Sequence, residues 1–419
     1  MVVRSRSPIG VAVTSIGLGL GAGLLATASA AVTASVLMAR SVVTPPRRPH
    51  EPLRVHAVDR RAGTVTLRRT PESSAPGTYS MVFSGGAGRA VLGPVTATSE
   101  HTVTRRFDGE EGARLERGTS VRVASAPQRG PADLGLPWES VEVPTVLGPA
   151  PAWLFPAEGP STDWAVHVHG RGALMTEPLR SIGAFHEAGW NSLVISYRND
   201  PGSTTSPDRR YGLGGTERRD IDAALAWARS RGARRIVLVG WSMGGAAVMQ
   251  ALFDSPHRDH VVGVVLESPV VSWFSTLRHQ GALLHMPRWV TRLAIGLLSS
   301  TAAAPIVGVD APIPLERFEV LRRTDEIRVP VLLMHSTADT VVPVGPSREL
   351  GRRLPDLVRY VEFPAGLHTR LHNVDPERWD RALQRWLADL ARGTWAGIGA
   401  PAAGQSADVA APRRATSRE

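Results

Sequence analysis

Beyond Trp138 the chain alternates strand-length apolar runs with helix-length segments: Ala165 to Val168, Ile182 to Ala188, Ser192 to Ser196, Asp220 to Arg229, Ile236 to Val239, Ala246 to Leu252, Val261 to Leu266, Val331 to Met334, Val358 to Val361 and Pro376 to Leu390. Val/Ile/Leu runs without polar alternation suit strands covered on both faces, and the intervening helices suit parallel crossovers. An α/β unit with a mostly parallel sheet and helices on both faces follows for residues 136–393. Residues 272–312 interrupt the rhythm with Trp273-Phe274, Leu283-Leu284-His285-Met286 and Leu293 to Leu298. An insertion that apolar is either a short helical lid over a pocket or additional core.

Ahead of this unit, Leu53 to Val58 and Thr64 to Leu67 flank Asp59-Arg60-Arg61-Ala62-Gly63, a hairpin pattern with glycine in the turn. Similar runs at Tyr79 to Phe83, Thr102 to Thr104 and Ser120 to Val123 make residues 50–135 a small β-rich domain without ligand or catalytic spacing. Residues 44–49, with three prolines, read as a stiff linker. Residues 394–419, rich in Ala, Gly, Pro and Ser without apolar periodicity, read as a disordered tail.

From Ile9 to Met38 there are 30 residues without a charge, flanked by Arg4 and Arg6 and by Arg40, Arg47 and Arg48. As a helix that run would measure roughly 45 Å, more than the hydrocarbon slab of about 30 Å. Ala28-Ser29-Ala30 offers a signal-peptidase pattern, but the apolar run continues past it, which favours a retained N-terminal membrane anchor over residues 1–43. Arginine flanks both ends, so the positive-inside rule does not orient the segment; an extracytoplasmic C-terminal unit is the expectation.

The net charge is +10 and all 48 basic Lys/Arg positions are arginine, scattered among acids with no basic block, which argues against a nucleic-acid partner. With no cysteine there are no disulfides, thiolate nucleophiles or Cys-ligated zinc. No metal or other cofactor is expected, and oligomeric state is not legible.

Gly240-Trp241-Ser242-Met243-Gly244 follows the apolar strand Ile236 to Val239 and opens an apolar helix, the setting in which a sharp turn lifts a serine hydroxyl above a sheet. Gly240 and Gly244 stand where a Cβ would collide across that nucleophile elbow. A serine hydroxyl needs a base, an orienting acid and oxyanion donors, in the chain order Ser, acid, His. Asp339, on the loop leaving the strand at Val331 to Met334, is the candidate acid, with Glu267 as the rival at an earlier strand end. His368, just before the last helix, is the candidate base, with His372 as the nearest competitor. Thr369 occupies the position of the zinc-protease glutamate, so His368 and His372 do not read as a metal pair. The glycine loop His169-Gly170-Arg171-Gly172 offers the Arg171 N–H to pair with that of Met243 as an oxyanion hole. His167 and His169 form a His-x-His without the following Asp-His of a metallo-hydrolase.

Together these elements resemble the serine hydrolases of the α/β-hydrolase superfamily, and Gly-Trp-Ser-Met-Gly-Gly is similar to the elbows of the bacterial esterase and prolyl-oligopeptidase-like branches. Leu367, between Gly366 and His368, departs from the Ala-Gly-His of many relatives. The resemblance covers residues 138–393 and implies an α/β-hydrolase fold and acyl transfer by Ser242, His368 and Asp339 on a small-molecule ester or amide. The expected activity is membrane-anchored carboxylic ester hydrolysis, with an aminoacyl amidase or an inactive envelope-binding protein as alternatives. Arg171, Arg198, Arg209 and Arg210 are either contacts for an acidic substrate or solvated surface.

Overall fold

The computed structural model describes residues 29–46 and 51–393. Strands β1 (Leu53–Asp59), β2 (Thr64–Arg68), β3 (Tyr79–Phe83), β4 (Gly88–Thr98), β5 (Thr102–Gly112) and β6 (Ser120–Ala124) close an antiparallel barrel in the order β1-β2-β5-β4-β3-β6. Period-two alternation fills it: Val65 and Leu67, Val103, Arg105 and Phe107, and Val121 and Val123 are buried, with more exposed residues at the alternate positions. Arg105, fully buried, donates to the carbonyl oxygens of Ser73, Ala75, Gly77 and Gly93 around the short helix α2 (Pro71–Ser74). Four carbonyl acceptors compensate a guanidinium that would otherwise be costly to bury.

The second unit is an eight-stranded sheet. Strands β7 (Glu139–Thr145) and β8 (Gly148–Phe155) form an antiparallel edge, followed by six mutually parallel strands: β9 (Asp163–Val168), β10 (Asn191–Ile195), β11 (Arg235–Trp241), β12 (Val261–Glu267), β13 (Val331–Ser336) and β14 (Val358–Phe363). Their order is β14-β13-β12-β11-β9-β10-β8-β7. Ala165, Val237, Val239 and Trp241 pack on one side with Phe185 of α3 (Leu179–Glu187) and with Trp379, Leu383, Trp386 and Leu387 of α11 (Pro376–Arg392). Val166, Val168, Ile236 and Leu238 pack on the other with Ile221 and Leu225 of α4 (Arg218–Ser230) and Val248 and Leu252 of α5 (Met243–Asp254). Each large apolar side chain so buried contributes roughly 1.5–3 kcal/mol, so these helices are held by their stripes more than by propensity. The boundaries of α11 are written locally: Asp375 accepts from the Arg378 N–H, Pro376 takes the first turn and Gly393 closes the helix at φ 62°.

The insertion folds as α6 (Trp273–Leu283), α7 (Arg288–Leu298) and α8 (Ala304–Val307). It is both core and cover: Trp273, Leu277, Ala294, Ile295 and Leu298 join the main apolar cluster, while Leu283, Leu284 and Trp289 at the hairpin tip are exposed.

Residues 29–43 correct the expected membrane span. They form a helix, α1, docked on protein: Met38, Ala39 and Val43 enter the main core, and the Ser35 hydroxyl donates to the Val290 carbonyl at 3.0 Å. Among the described residues no helix is long and apolar enough to cross a membrane. An uncharged run serves a buried helix as well as a spanning one; positions 35, 38, 39 and 43 carry the stripe spacing of a helix packed on one side. The rest of the expected anchor, residues 1–28, lies outside the described residues, as do 47–50 of the expected linker and the expected tail 394–419.

Candidate active site

β11 ends at Trp241 and α5 begins at Met243, so Ser242 alone makes the turn, at φ 52° and ψ −117°. A non-glycine residue there stores on the order of 1–3 kcal/mol and persists only when its surroundings fix it. They do: the Ser242 N–H donates to Glu267 O at 3.1 Å, and its carbonyl accepts from Ala246 N–H at 3.2 Å and Val270 N–H at 3.1 Å. A Cβ on Gly240 would stand 2.7 Å from Gly245 Cα, and one on Gly244 2.4 Å from the carbonyl oxygens of both Val168 and His169. Only glycine at both positions lets α5 start against β9.

The structure brings Ser242, His368 and Asp339 together at the carboxyl ends of the parallel strands. His368 Nε2 lies 2.8 Å from Ser242 Oγ and its Nδ1 2.7 Å from Asp339 Oδ2. The carboxylate can only accept, so Nδ1 carries the proton and Nε2 faces the hydroxyl as an acceptor. Asp339 Oδ1 accepts from the N–H groups of Val341 and Val342 at 2.8 and 2.9 Å. A second imidazole, that of His335, lies with Nε2 3.2 Å from Asp339 Oδ2 and 3.1 Å from Val342 O, while Nδ1 faces the Ser347 hydroxyl. Burial alone would raise the Asp339 carboxyl, but the hydrogen bonds from His335 and His368 outweigh it and hold it well below the usual carboxylate range. His335 is missing from the sequence reading, although it stands four residues before Asp339; nothing in a lone buried histidine distinguishes a support from core.

The rival residues are occupied elsewhere. Glu267 accepts from the indole N–H groups of Trp241 and Trp379, both at 2.9 Å, and from Leu371 N–H at 3.1 Å, with Arg180 3.6 Å away. It ties β11, α11 and the histidine loop together without touching an imidazole. His372 faces Asp380 at 3.4 Å and the edge of Trp379.

The loop after β9 is held by a buried polar network that spacing did not reveal. Gly170 N–H donates to Glu177 Oε2 at 2.7 Å and Gly172 N–H to the Tyr211 hydroxyl at 3.3 Å, leaving the Arg171 N–H without a partner among the described residues. A helix start leaves its first N–H groups unpaired, and α5 starts at Met243. His169 lies between two acceptors, Gly170 O at 2.9 Å and Asp200 Oδ2 at 2.8 Å, and stacks on Tyr197. Burial opposes its protonation, but Asp200 outweighs burial and the imidazole is raised. His167, by contrast, has the Ser181 hydroxyl as its hydrogen-bond partner and no carboxylate beside it among the described residues, and is pushed down to about 3 by burial.

The side chain of Arg171 is engaged by the chain itself: it donates to the carbonyl oxygens of Ser41, Val42 and Thr44, capping the carboxyl end of α1. Arg198 likewise is engaged, with Asp220 at 2.8 Å. Arg209 adopts φ 53°, and the Arg210 guanidinium lies against Gly308.

The barrel reaches the site through the loop of His368. Leu367 packs against the barrel core, Arg370 donates to Val123 O at 3.0 Å, and Asn373, on α10 (Leu371–Val374), donates to Thr78 O and Ser125 O, both at 2.6 Å. From the other side Arg180 donates to Thr369 O at 2.9 Å. The leucine that departs from the common Ala-Gly-His is thus one of the residues that seat this loop on the barrel.

The fold, the elbow and the Ser–His–Asp chain define a serine hydrolase of the α/β-hydrolase class. Residues 206–394 match the family described as Prolyl oligopeptidase family, and residues 54–124, the barrel, match a Domain of unknown function (DUF8805). The uncharacterized protein YfhR of Escherichia coli, strains O157:H7 and K12, is 25% identical over 242 residues, covering 55% of this chain and 74% of YfhR. Similar solved structures include the Pyrococcus furiosus esterase Pf2001, with 20% identity over 62% of this chain and 94% of that one at a TM-score of 0.48. Another is Est1E from Butyrivibrio proteoclasticus, with 17% identity over 60% and 99% at a TM-score of 0.45.

Proposed function

We propose that the protein hydrolyses carboxylic esters with an apolar acyl group, using Ser242 as nucleophile, His368 as general base and Asp339 as the acid that orients it. The observation that carries this reading is the unbroken hydrogen-bonded chain from Ser242 Oγ through both nitrogens of His368 to Asp339. Ser242 Oγ attacks the carbonyl carbon as its proton passes to His368 Nε2; Asp339 stabilises the imidazolium. The N–H groups of Met243 and Arg171 hold the oxyanion, each such donor being worth roughly 2.7–4 kcal/mol. His368 returns the proton to the leaving alkoxide, and water, activated by the same imidazole, releases the acid and restores Ser242.

Ester selectivity is supported by the insertion that borders the site. His279 and Gln280 of α6 contact the carbonyl oxygens of Thr340 and Val341 beside Asp339, yet no acidic residue occurs from 268 to 309 to pair with the ammonium of an aminoacyl substrate. The Prolyl oligopeptidase family match favours the second reading, an aminoacyl amidase on the same triad. A series of p-nitrophenyl acyl esters run against aminoacyl p-nitroanilides decides between them: faster turnover of the anilides sinks the ester reading. A fluorophosphonate probe that labels wild type and Ser242→Ala alike would remove both.

For the amino terminus, residues 9–28 remain a run of 20 uncharged residues, the length a span takes. They support a membrane anchor that delivers α1 to its dock, with the catalytic unit outside the cytoplasm. Protease treatment of intact cells tests the orientation; a hydrolase domain that survives until the cells are lysed overturns it.

A further inference from the structure

The tip of the α6–α7 hairpin exposes Leu283, Leu284 at 66% and Trp289 at 54%, adjoining residues that are otherwise packed into the core. Isolated apolar side chains on a surface need no explanation, but three within seven positions at one turn do. The charge around them is one-sided. Between Glu267 and Asp310 there is no acidic residue, and the cations Arg278, Arg288 and Arg292 are exposed with no ion pair among the described residues. Leu and Trp beside unpaired arginines are the combination that settles at the boundary between headgroups and acyl chains.

The position of α1 says where that surface is presented. Ser35 is bonded to Val290, the residue after Trp289, and Val32, one turn earlier on α1, is also exposed. The chain therefore enters the described structure beside the hairpin tip, directly after the uncharged run 9–28.

We propose that the α6–α7 tip, with Val32 of α1, is a docking surface for an anionic lipid bilayer: Leu283, Leu284 and Trp289 enter the interface and Arg278, Arg288 and Arg292 meet phosphate headgroups. This rests on the reading that residues 9–28 hold the chain at a membrane. The same helix α6 borders the Asp339 loop, and Ser242 is only 8% exposed, so an acyl chain leaving the bilayer meets the cover of the site first.

Because the chain has no cysteine, Leu284→Cys and Trp289→Cys each create one attachment point for an environment-sensitive fluorophore. Glu158→Cys, on the loop entering β9 at the opposite end of the parallel strands, is the control. The full-length protein is mixed with phosphatidylglycerol-containing or pure phosphatidylcholine vesicles; flotation reads anchoring and the fluorophore reads the tip. The expected result is flotation with both vesicles, and blue-shifted emission quenched by acyl-chain nitroxide lipids at 284 and 289, but not at 158, in the anionic vesicles. Replacing Arg278, Arg288 and Arg292 by Gln lowers the quenched fraction by roughly fivefold or more. Flotation with water-like, unquenched labels at 284 and 289 overturns the docking surface and leaves the anchor standing. Absence of flotation removes the anchor reading and this inference together. A blue shift already complete without vesicles means that residues 9–28 or a second copy of the chain cover the tip, and also overturns the proposal.

Discussion

Arg370 donates to the carbonyl oxygen of Val123 at 3.0 Å, which fastens the loop carrying His368 to strand β6 of the barrel. Asn373 adds two more bonds of the same kind, and a Cβ on Gly77 would stand 1.8 Å from Asn373 O, so the two units meet there backbone to backbone. A base 2.8 Å from its nucleophile is only as well placed as the loop that holds it. The barrel is therefore packed against the loop that carries the base and is not a detached module.

Asn373→Ala removes two hydrogen bonds to part-buried carbonyl oxygens at that seam, at a net cost of about 0.5–1.5 kcal/mol each. A displacement of His368 acts on the transition state, where a misplacement of about 1 Å costs on the order of a hundredfold. The expected outcome is a fall in kcat with KM nearly unchanged, measured well below the melting temperature. Equal loss of stability with kcat intact would make the seam merely structural.

Two carboxylates compete for the acid role in the sequence, and their partners separate them. Asp339→Asn keeps the shape of the site but cannot hold the imidazolium, and kcat is expected to drop by about 10⁴-fold. Glu267→Gln replaces an acceptor of two indole N–H groups with an amide; the expected effect is lower stability, in the range of about 3–5 kcal/mol for a broken buried charge network, with a much smaller loss in kcat at a temperature where the protein is folded. Steady-state kinetics beside urea titrations of both variants checks this, and the reverse ranking would transfer the acid role to Glu267.

Strand–helix alternation made the parallel sheet legible because each strand is apolar on both faces, and the glycines flanking Ser242 made the turn legible because only one geometry requires them. Asp339 and His368 followed from their positions at strand exits. What supports them did not follow. Glu177, Asp200, Arg180 and His335 are ordinary polar residues until the fold buries them against one another, and no local pattern announces a contact between residues 123 and 370. The edge strands β7 and β8 escaped for a different reason: Pro144, Pro149 and Pro151 break the propensity signal, which prolines can do at a sheet edge without breaking the sheet. The reading of residues 29–43 as part of a span erred by weighing length over periodicity.

The backbone at Ser242 has a separable cost. Ser242→Ala removes the hydroxyl but keeps a Cβ at φ 52°, whereas Ser242→Gly removes both. Neither variant reacts with a fluorophosphonate, and the glycine variant is expected to be more stable than the alanine variant by about 1–3 kcal/mol, the strain such a conformation stores, less the roughly 0.5–1 kcal/mol that glycine loses in chain entropy. Thermal melts of the two inactive proteins measure the difference. Equal melting temperatures would mean the elbow holds no strain beyond the entropy that glycine loses on folding.

His167 sets an acid limit on stability. Its folded-state value, about 3, lies below the usual histidine value of about 6.5, because burial disfavours the imidazolium. Between those two pH values the unfolded chain binds a proton that the folded chain does not, so this contribution to stability is complete above about 6.5 and is lost as pH falls toward 3. The slope for one proton is about 1.4 kcal/mol per pH unit. His167 sits edge-on to Phe185, so His167→Leu keeps an apolar contact while removing the titration. Unfolding free energies from urea titrations at pH 7 and pH 5 should fall less steeply for the variant than for the wild type, whatever their absolute values; parallel curves would place the acid sensitivity on other groups.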